Sequence, residues 1–213
     1  MSTVLSRTGW VVVASLAAFL VLTAAVMLGL TSGLDRFVND RMGLTQVAVA
    51  EGVTDVGRFP WLLPVALIGA LLLAVRRKPV LALGVFVAAL SASYARQALA
   101  DAIDRPRPAG PYSLSGAAAF PSGHAAESTA TVALICAVVA LAWRRPPTWL
   151  IAALAVWPLL VCASRVALSA HWLTDVVAGA LFGLWWPLGI VLLAGALTKR
   201  RISHDFENGA LPR

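Results

Sequence analysis

The sequence predicts an all-α membrane protein, a polytopic bundle of six transmembrane helices with both termini on the cytoplasmic side. Three observations carry that expectation. Hydrophobic residues make up 60% of the 213 positions and charged residues 13%, about half the charged share of a soluble domain. Apolar stretches of near-spanning length recur along the chain, and the mean hydropathy is +0.83. The basic clusters between those stretches alternate from one side to the other, which is how membrane topology is written.

A spanning helix needs about 20 mostly apolar residues. By that measure the spans cover 10–31, 59–76, 79–99, 125–143, 148–169 and 173–197, the second being short. They are rich in Ala, Gly and Ser, which lets helices approach closely. The first run has no set-off small-residue cleavage site and reads as a span rather than a signal peptide. Arg7 precedes the first span, Arg76, Arg77 and Lys78 follow the second, Arg144 and Arg145 the fourth, and Lys199, Arg200 and Arg201 the sixth. These clusters put their shared face in the cytoplasm of a cell (plasma or inner) membrane. The opposite face carries Asp35, Asp40, Glu51, Asp55, Asp101, Asp104 and Asp175. The net charge of +7 therefore reports topology and not a nucleic-acid partner.

Residues 32–58 form the longest connection. Leu34, Phe37, Val38, Met42, Leu44, Val47, Val49, Val53 and Val56 recur there at roughly helical spacing among charges. The segment reads as an amphipathic helix in the outer interface, either a helical loop packed over the bundle or a lid for a lipid. Residues 1–201 read as a single domain and 202–213 as a polar, disordered cytoplasmic tail holding His204. Cys136 and Cys162 lie in apolar stretches without CxxC spacing and read as packing residues.

Three polar clusters fall on the outer face. Ionisable groups are expensive in a bilayer, so their grouping is informative. In Asp104-Arg105-Pro106-Arg107-Pro108 the prolines end a helix, and arginine offers a planar fork that matches phosphate oxygens. Alone, this string reads as arginines snorkelling to headgroups. In Pro121-Ser122-Gly123-His124, Ser122 suits an N-cap and Gly123 lets backbone approach a ligand. The helix start that follows can hold phosphate, and His124 can donate a proton to a leaving oxygen. Alone, this cluster is equally a simple helix cap. In the third cluster, after Ser164-Arg165, His171 and Asp175 share a helix face. A carboxylate accepting from one ring nitrogen would fix the tautomer and free the other nitrogen to attack. Arg165 could hold the phosphate under attack. The bland reading is a hydrogen bond between two interfacial side chains.

Together the clusters resemble the type 2 phosphatidic acid phosphatase superfamily of membrane lipid phosphatases, which is related to the vanadium haloperoxidases. Arg107-Pro108 matches the end of the family's first motif. Pro121 to His124 match its second. Ser164, Arg165, His171 and Asp175 match its third without a gap. The family usually has a lysine seven positions before the motif arginine, where this chain has Ala100. Arg96, one helical turn earlier, is the expected substitute, against the alternative of snorkelling or pairing with Asp101 or Asp104.

The resemblance implies metal-independent, cofactor-free phosphoryl transfer through a phosphohistidine. His171 would attack phosphorus and Asp175 would orient it. His124 would protonate the leaving group and later activate water. Arg107, Arg165, Ser122 and Gly123 would hold the phosphate, helped by Arg105 or Arg96. Glu127 would orient His124, pair with an arginine, or merely complement the helix start. The expected substrate is a lipid phosphate reached from the outer leaflet of the bilayer. A polyprenyl (undecaprenyl-type) diphosphate comes first, then phosphatidate or phosphatidylglycerophosphate. A lipid phosphotransferase would use the same residues. A lipid transporter predicts polar groups spread through the membrane depth, and these gather at one face. Six spans argue against a soluble haloperoxidase. Nothing in the sequence sets an oligomeric state.

Overall fold

The computed structural model describes residues 2–44, 47–58, 61–113, 117–143 and 145–207, and its regular structure there is entirely helical. The first helix, α1 (Ser2–Met27), is almost uniformly apolar. Ser15 and Thr23 donate to the carbonyls of Val11 and Phe19 at 2.6 and 2.7 Å, so neither hydroxyl faces hydrocarbon unbonded. Gly29, at φ +71°, turns the chain out of α1. The connecting segment then forms two short helices, α2 (Ser32–Met42) and α3 (Val47–Arg58). They pack over α7 and α8, introduced below.

α4 (Leu62–Val75) has 14 residues. It rises about 21 Å, less than the ~30 Å hydrocarbon core. Among the described residues, five helices are long and apolar enough to cross a membrane: the Arg7–Met27 part of α1, then α5 (Pro79–Ile103), α6 (Gly123–Ala142), α7 (Thr148–Ala167) and the Leu173–Arg200 part of α8 (Leu173–Glu207). The second of the six expected spans, 59–76, corresponds to the shorter apolar helix Leu62–Val75, and positions 59 and 60 lie outside the described residues. At the other end of the chain, α8 runs on to Glu207 and does not yield to a disordered tail at 202. No glycine or proline stands between Gly195 and Gly209, so nothing local stops the helix there. Positions 208–213 of the expected tail lie outside the described residues.

α8 is the centre of the bundle and packs on α1, α5 and α6. Gly179 and Gly183 lie one turn apart on its α6 face. A Cβ at Gly179 would overlap the Ser122 carbonyl, and one at Gly183 the Ala126 carbonyl. The two backbones can meet only because these side chains are absent. Phe182, between the glycines, packs edge-on to Trp185 at 5.5 Å and beside Phe19 of α1 at 6.0 Å. This close approach sets the start of α6 beside the start of α8. α5 and α7 finish at that same end, so the three polar clusters meet there.

Candidate active site

α5 ends because Asp104 adopts a left-handed conformation, φ +45°, and Pro106 and Pro108 follow. The segment leaving α5 then meets the approach to α6: the Ala119 N–H donates to the Arg105 carbonyl at 2.7 Å. α7 ends at Ala167, and Ser169, at φ +49°, turns the chain back. The N–H groups of Ala170 and His171 both donate to the Arg165 carbonyl, at 3.1 and 3.3 Å. That loop delivers His171, 3% exposed, into the interior.

The ring of His171 is held from both sides. Nδ1 lies 2.8 Å from the Ala119 carbonyl, and Nε2 lies 3.1 Å from Arg107 Nη1. A carbonyl only accepts and a guanidinium only donates. Nδ1 therefore carries the proton, and Nε2 presents its lone pair toward Arg107. Burial pushes His171 below its ordinary pKa; the Asp175 carboxylate opposes this, and Arg107 and Arg165 add to it. Burial thus favours the neutral form of the ring.

Asp175 is fully buried, and its nearest partners are not the ones expected. Oδ1 accepts from Arg105 Nη1 at 2.5 Å and Oδ2 from the Trp172 N–H at 2.9 Å, while His171 Nδ1 is 3.7 Å away. The tautomer is set by a backbone carbonyl, and Asp175 acts on the ring at longer range. Arg105 also departs from its expected role. Nη1 donates to Thr174 Oγ1 at 2.8 Å as well, and Nη2 to Asp35 Oδ2 at 2.7 Å. Its guanidinium is held between two buried carboxylates.

Arg107 is positioned by backbone. Nε donates to the Ala117 carbonyl at 3.0 Å, Nη2 to Ala118 at 3.2 Å and Nη1 to Ala170 at 2.9 Å. Three successive alanine carbonyls, 117 to 119, thus template both Arg107 and His171. Arg165, 5% exposed, sits in the last turn of α7 within the electrostatic surroundings of His171.

Ser122 is the N-cap residue of α6, and its N–H donates to the Asp175 carbonyl at 3.0 Å. Its hydroxyl is buried, and among the described residues it has no hydrogen-bond partner. His124, half-buried, opens the first turn of α6. The Arg96 guanidinium lies against Gly123, its Cζ 3.5 Å from where a Cβ would stand. Arg96 Nη2 donates to Gln97 Oε1 at 2.5 Å, and its buried Nε has no partner among the described residues. Among the acids, Glu127 acts most strongly on Arg96, ahead of Asp101, and Glu127 and Arg96 line one shallow cleft between α4, α5, α6 and α8. The cluster expected from scattered positions is therefore assembled at one place: His171, Asp175, Arg107, Ser122 and Gly123 in direct contact, with Arg165, His124 and Arg96 around them. Among the described residues, no group of three or more His, Cys, Asp or Glu is arranged to hold a metal ion.

The sequence profile of the PAP2 superfamily matches residues 80–199, more than half of the chain. The chain belongs to the PAP2 superfamily. The matched region runs from α5 into α8 and includes every motif residue named above. A solved structure of a transmembrane PAP2-type phosphatidylglycerophosphate phosphatase from Bacillus subtilis has the same fold. Its TM-score is 0.70 at 24% identity, over 89% of this chain and 96% of that one. Among curated proteins none matches the chain. The protein is thus a membrane protein with a PAP2 phosphatase fold, and PAP2 phosphatases are hydrolases.

Two polar residues at this PAP2 site come from before the matched region and were missed by sequence reasoning. One is Asp35 on α2. The other is Thr54 on α3, whose hydroxyl lies 2.8 Å from Ser164 Oγ. The one available signal was an acid in register with Val38 and Met42, on what should be an apolar helix face. The alanine carbonyls carried no signal, because backbone acceptors are the same in every residue.

Proposed function

We propose that this protein is a membrane lipid phosphatase that cleaves a lipid phosphate or diphosphate through a phosphohistidine on His171. The observation that carries the reading is the His171 ring, with Nδ1 pinned to the Ala119 carbonyl at 2.8 Å and the Nε2 lone pair 3.1 Å from Arg107. Nε2 attacks phosphorus as the bond to the lipid oxygen breaks, and His124 gives that oxygen its proton. His124, now neutral, takes a proton from water. The hydroxide formed displaces Nε2, releasing inorganic phosphate and restoring the ring. Arg107, Arg165, the Ser122 hydroxyl and the N–H groups opening α6 hold the phosphoryl oxygens, and Arg96 stands in for the family's missing lysine. Phosphoryl transfer depends mainly on positioning and on spreading charge, which these cations and N–H groups supply without a metal.

In the topology that the basic clusters support, α4 completes six crossings, both termini face the cytoplasm, and the site opens on the extracytoplasmic side of the cell membrane. The lipid tail lies between helices with its head at the site. A polyprenyl diphosphate is the first substrate to test. Phosphatidylglycerophosphate, for which the Bacillus subtilis structure is named, is the comparison, with phosphatidate beside it.

The test is release of inorganic phosphate from these three lipids by the detergent-purified protein, with and without EDTA. Release that persists in EDTA and falls at least ~10⁴-fold in His171→Ala supports the reading, and the preferred lipid assigns the substrate. Release that EDTA abolishes, or that His171→Ala leaves intact, overturns it.

A further inference from the structure

We propose that Asp35, on α2, is a positioning residue for the His171–Asp175 pair: it caps the start of α8 and anchors Arg105, which in turn fixes Asp175. The proposal rests on the reading of His171 as the nucleophile.

α8 starts without a cap of its own. Trp172 precedes Leu173, the first residue of α8, and its side chain offers no acceptor for the N–H groups that a helix start leaves unpaired. Those groups are satisfied by two carboxylates. The Trp172 N–H donates to Asp175 Oδ2 at 2.9 Å, the returning half of a capping box. The Thr174 N–H donates to Asp35 Oδ1 at 3.0 Å, the half that a Ser or Asp at the cap would ordinarily accept. Asp35 does this from 139 residues away in sequence.

The same carboxylate closes a ring of charge. Asp35 Oδ2 accepts from the Thr174 hydroxyl and from Arg105 Nη2, both at 2.7 Å. Arg105 then reaches Asp175 Oδ1. Asp35 is 1% exposed and Asp175 fully buried. In such an environment one guanidinium between two carboxylates tolerates no loss of a member without leaving a charge uncompensated. Two further contacts pin α2 and α3 to the loop that carries His171. Thr54 meets Ser164, and Gly43, where a Cβ would overlap Ser169 Oγ, lies against the turn at Ser169. The connecting segment is therefore a strap across the nucleophile loop.

The charged groups facing His171 are Asp175 from α8, Arg107 from the α5–α6 connection and Arg165 from α7. Attack through Nε2 leaves the ring cationic, so negative charge behind Asp175 favours it. Asp35→Asn keeps the shape and an acceptor for the Thr174 N–H but makes the network one unit more positive. Protonated and phosphorylated His171 both become less favourable.

The experiment measures phosphate release from the faster of phosphatidate and a polyprenyl diphosphate in detergent micelles, with thermal unfolding as a folding check. Folded Asp35→Asn should lose kcat on the order of 10-fold, as when an outer partner of a ligating group is removed. KM should stay near wild type, and the acid limb of kcat/KM should move to lower pH. Thr174→Val removes the hydroxyl between Asp35 and Arg105 while keeping both charges. It should lower kcat less and leave the acid limb in place. Wild-type kcat and an unmoved acid limb in folded Asp35→Asn overturn the proposal. If that variant does not fold, Thr174→Val decides: lower kcat at unchanged KM supports the role, and wild-type kcat removes it. His171→Ala is run alongside. If it releases phosphate at the wild-type rate, the nucleophile reading fails. If it is inactive while folded Asp35→Asn is normal, only the role of Asp35 fails.

Discussion

At its C-terminal end α6 gives its last carbonyls to protein cations: Arg76 Nη1 donates to Ala142 at 2.7 Å and Lys78 Nζ to Leu141 at 2.5 Å. At its N-terminal end the buried Ser122 hydroxyl has no partner among the described residues, and Arg96 and Arg107 stand near the first turn. Both ends of a helix carry unpaired groups and a partial charge. One end is closed with charges from the neighbouring loop. The other has the Arg96 guanidinium beside it, offset by Glu127 and Asp101, and an unpartnered hydroxyl, an arrangement suited to holding an anion. The imbalance itself is a functional signal.

The comparison can be broken at the open end first. Ser122→Ala removes the unpartnered hydroxyl from the proposed phosphate site. It should lower kcat about 10²-fold in a phosphate-release assay with little change in thermal stability. A near-wild-type rate would mean that the open end is not used. Arg96 is next. Arg96→Ala should raise KM about tenfold, and Arg96→Lys should recover most of that if a cation against Gly123 replaces the lysine absent at Ala100. Equal failure of both variants would assign Arg96 to packing.

The pH dependence of the open end follows from His171. Its pKa in the folded protein is depressed below the ordinary 6.5 by burial, and in the proposed mechanism the neutral ring attacks. The acid limb of kcat/KM should therefore lie below pH 6.5. Stability from this group has the matching sign: it is full above pH 6.5 and declines as pH falls toward the depressed value, because the unfolded chain takes up the proton first. A limb above 6.5 would contradict the buried, neutral ring. The smallest effect belongs to the closed end. Arg76→Ala should cost about 0.3 to 1 kcal/mol in thermal unfolding and leave kcat unchanged. A loss of activity there would erase the distinction between the two ends.

Several features were legible from the sequence because they depend on local properties. Hydropathy marked α1, α5, α6, α7 and α8, since each must bury its own backbone bonds in hydrocarbon. The motif clusters named His171, Asp175, Arg107, Ser122 and Gly123, which the fold brings together. α4 was harder, because 14 residues of apolar sequence look alike whether they cross a bilayer or stop short. The run from 202 to 207 was misjudged because polar composition was taken for disorder where no helix breaker stands.

By itself, then, the sequence determined a helical membrane protein with its chemistry gathered at one end. Both follow from residue type and chain position. Only the tertiary structure decided which groups hold that chemistry in place. The Ala119 carbonyl sets the His171 tautomer, Ala117 and Ala118 aim Arg107, and Asp35 claims the guanidinium of Arg105. Sequence could not separate Arg105 from Arg107, two residues apart with the same side chain. The partner each one meets is fixed by α2 and by the 117–119 segment, and those contacts exist only once α6 and α8 have packed through Gly179 and Gly183.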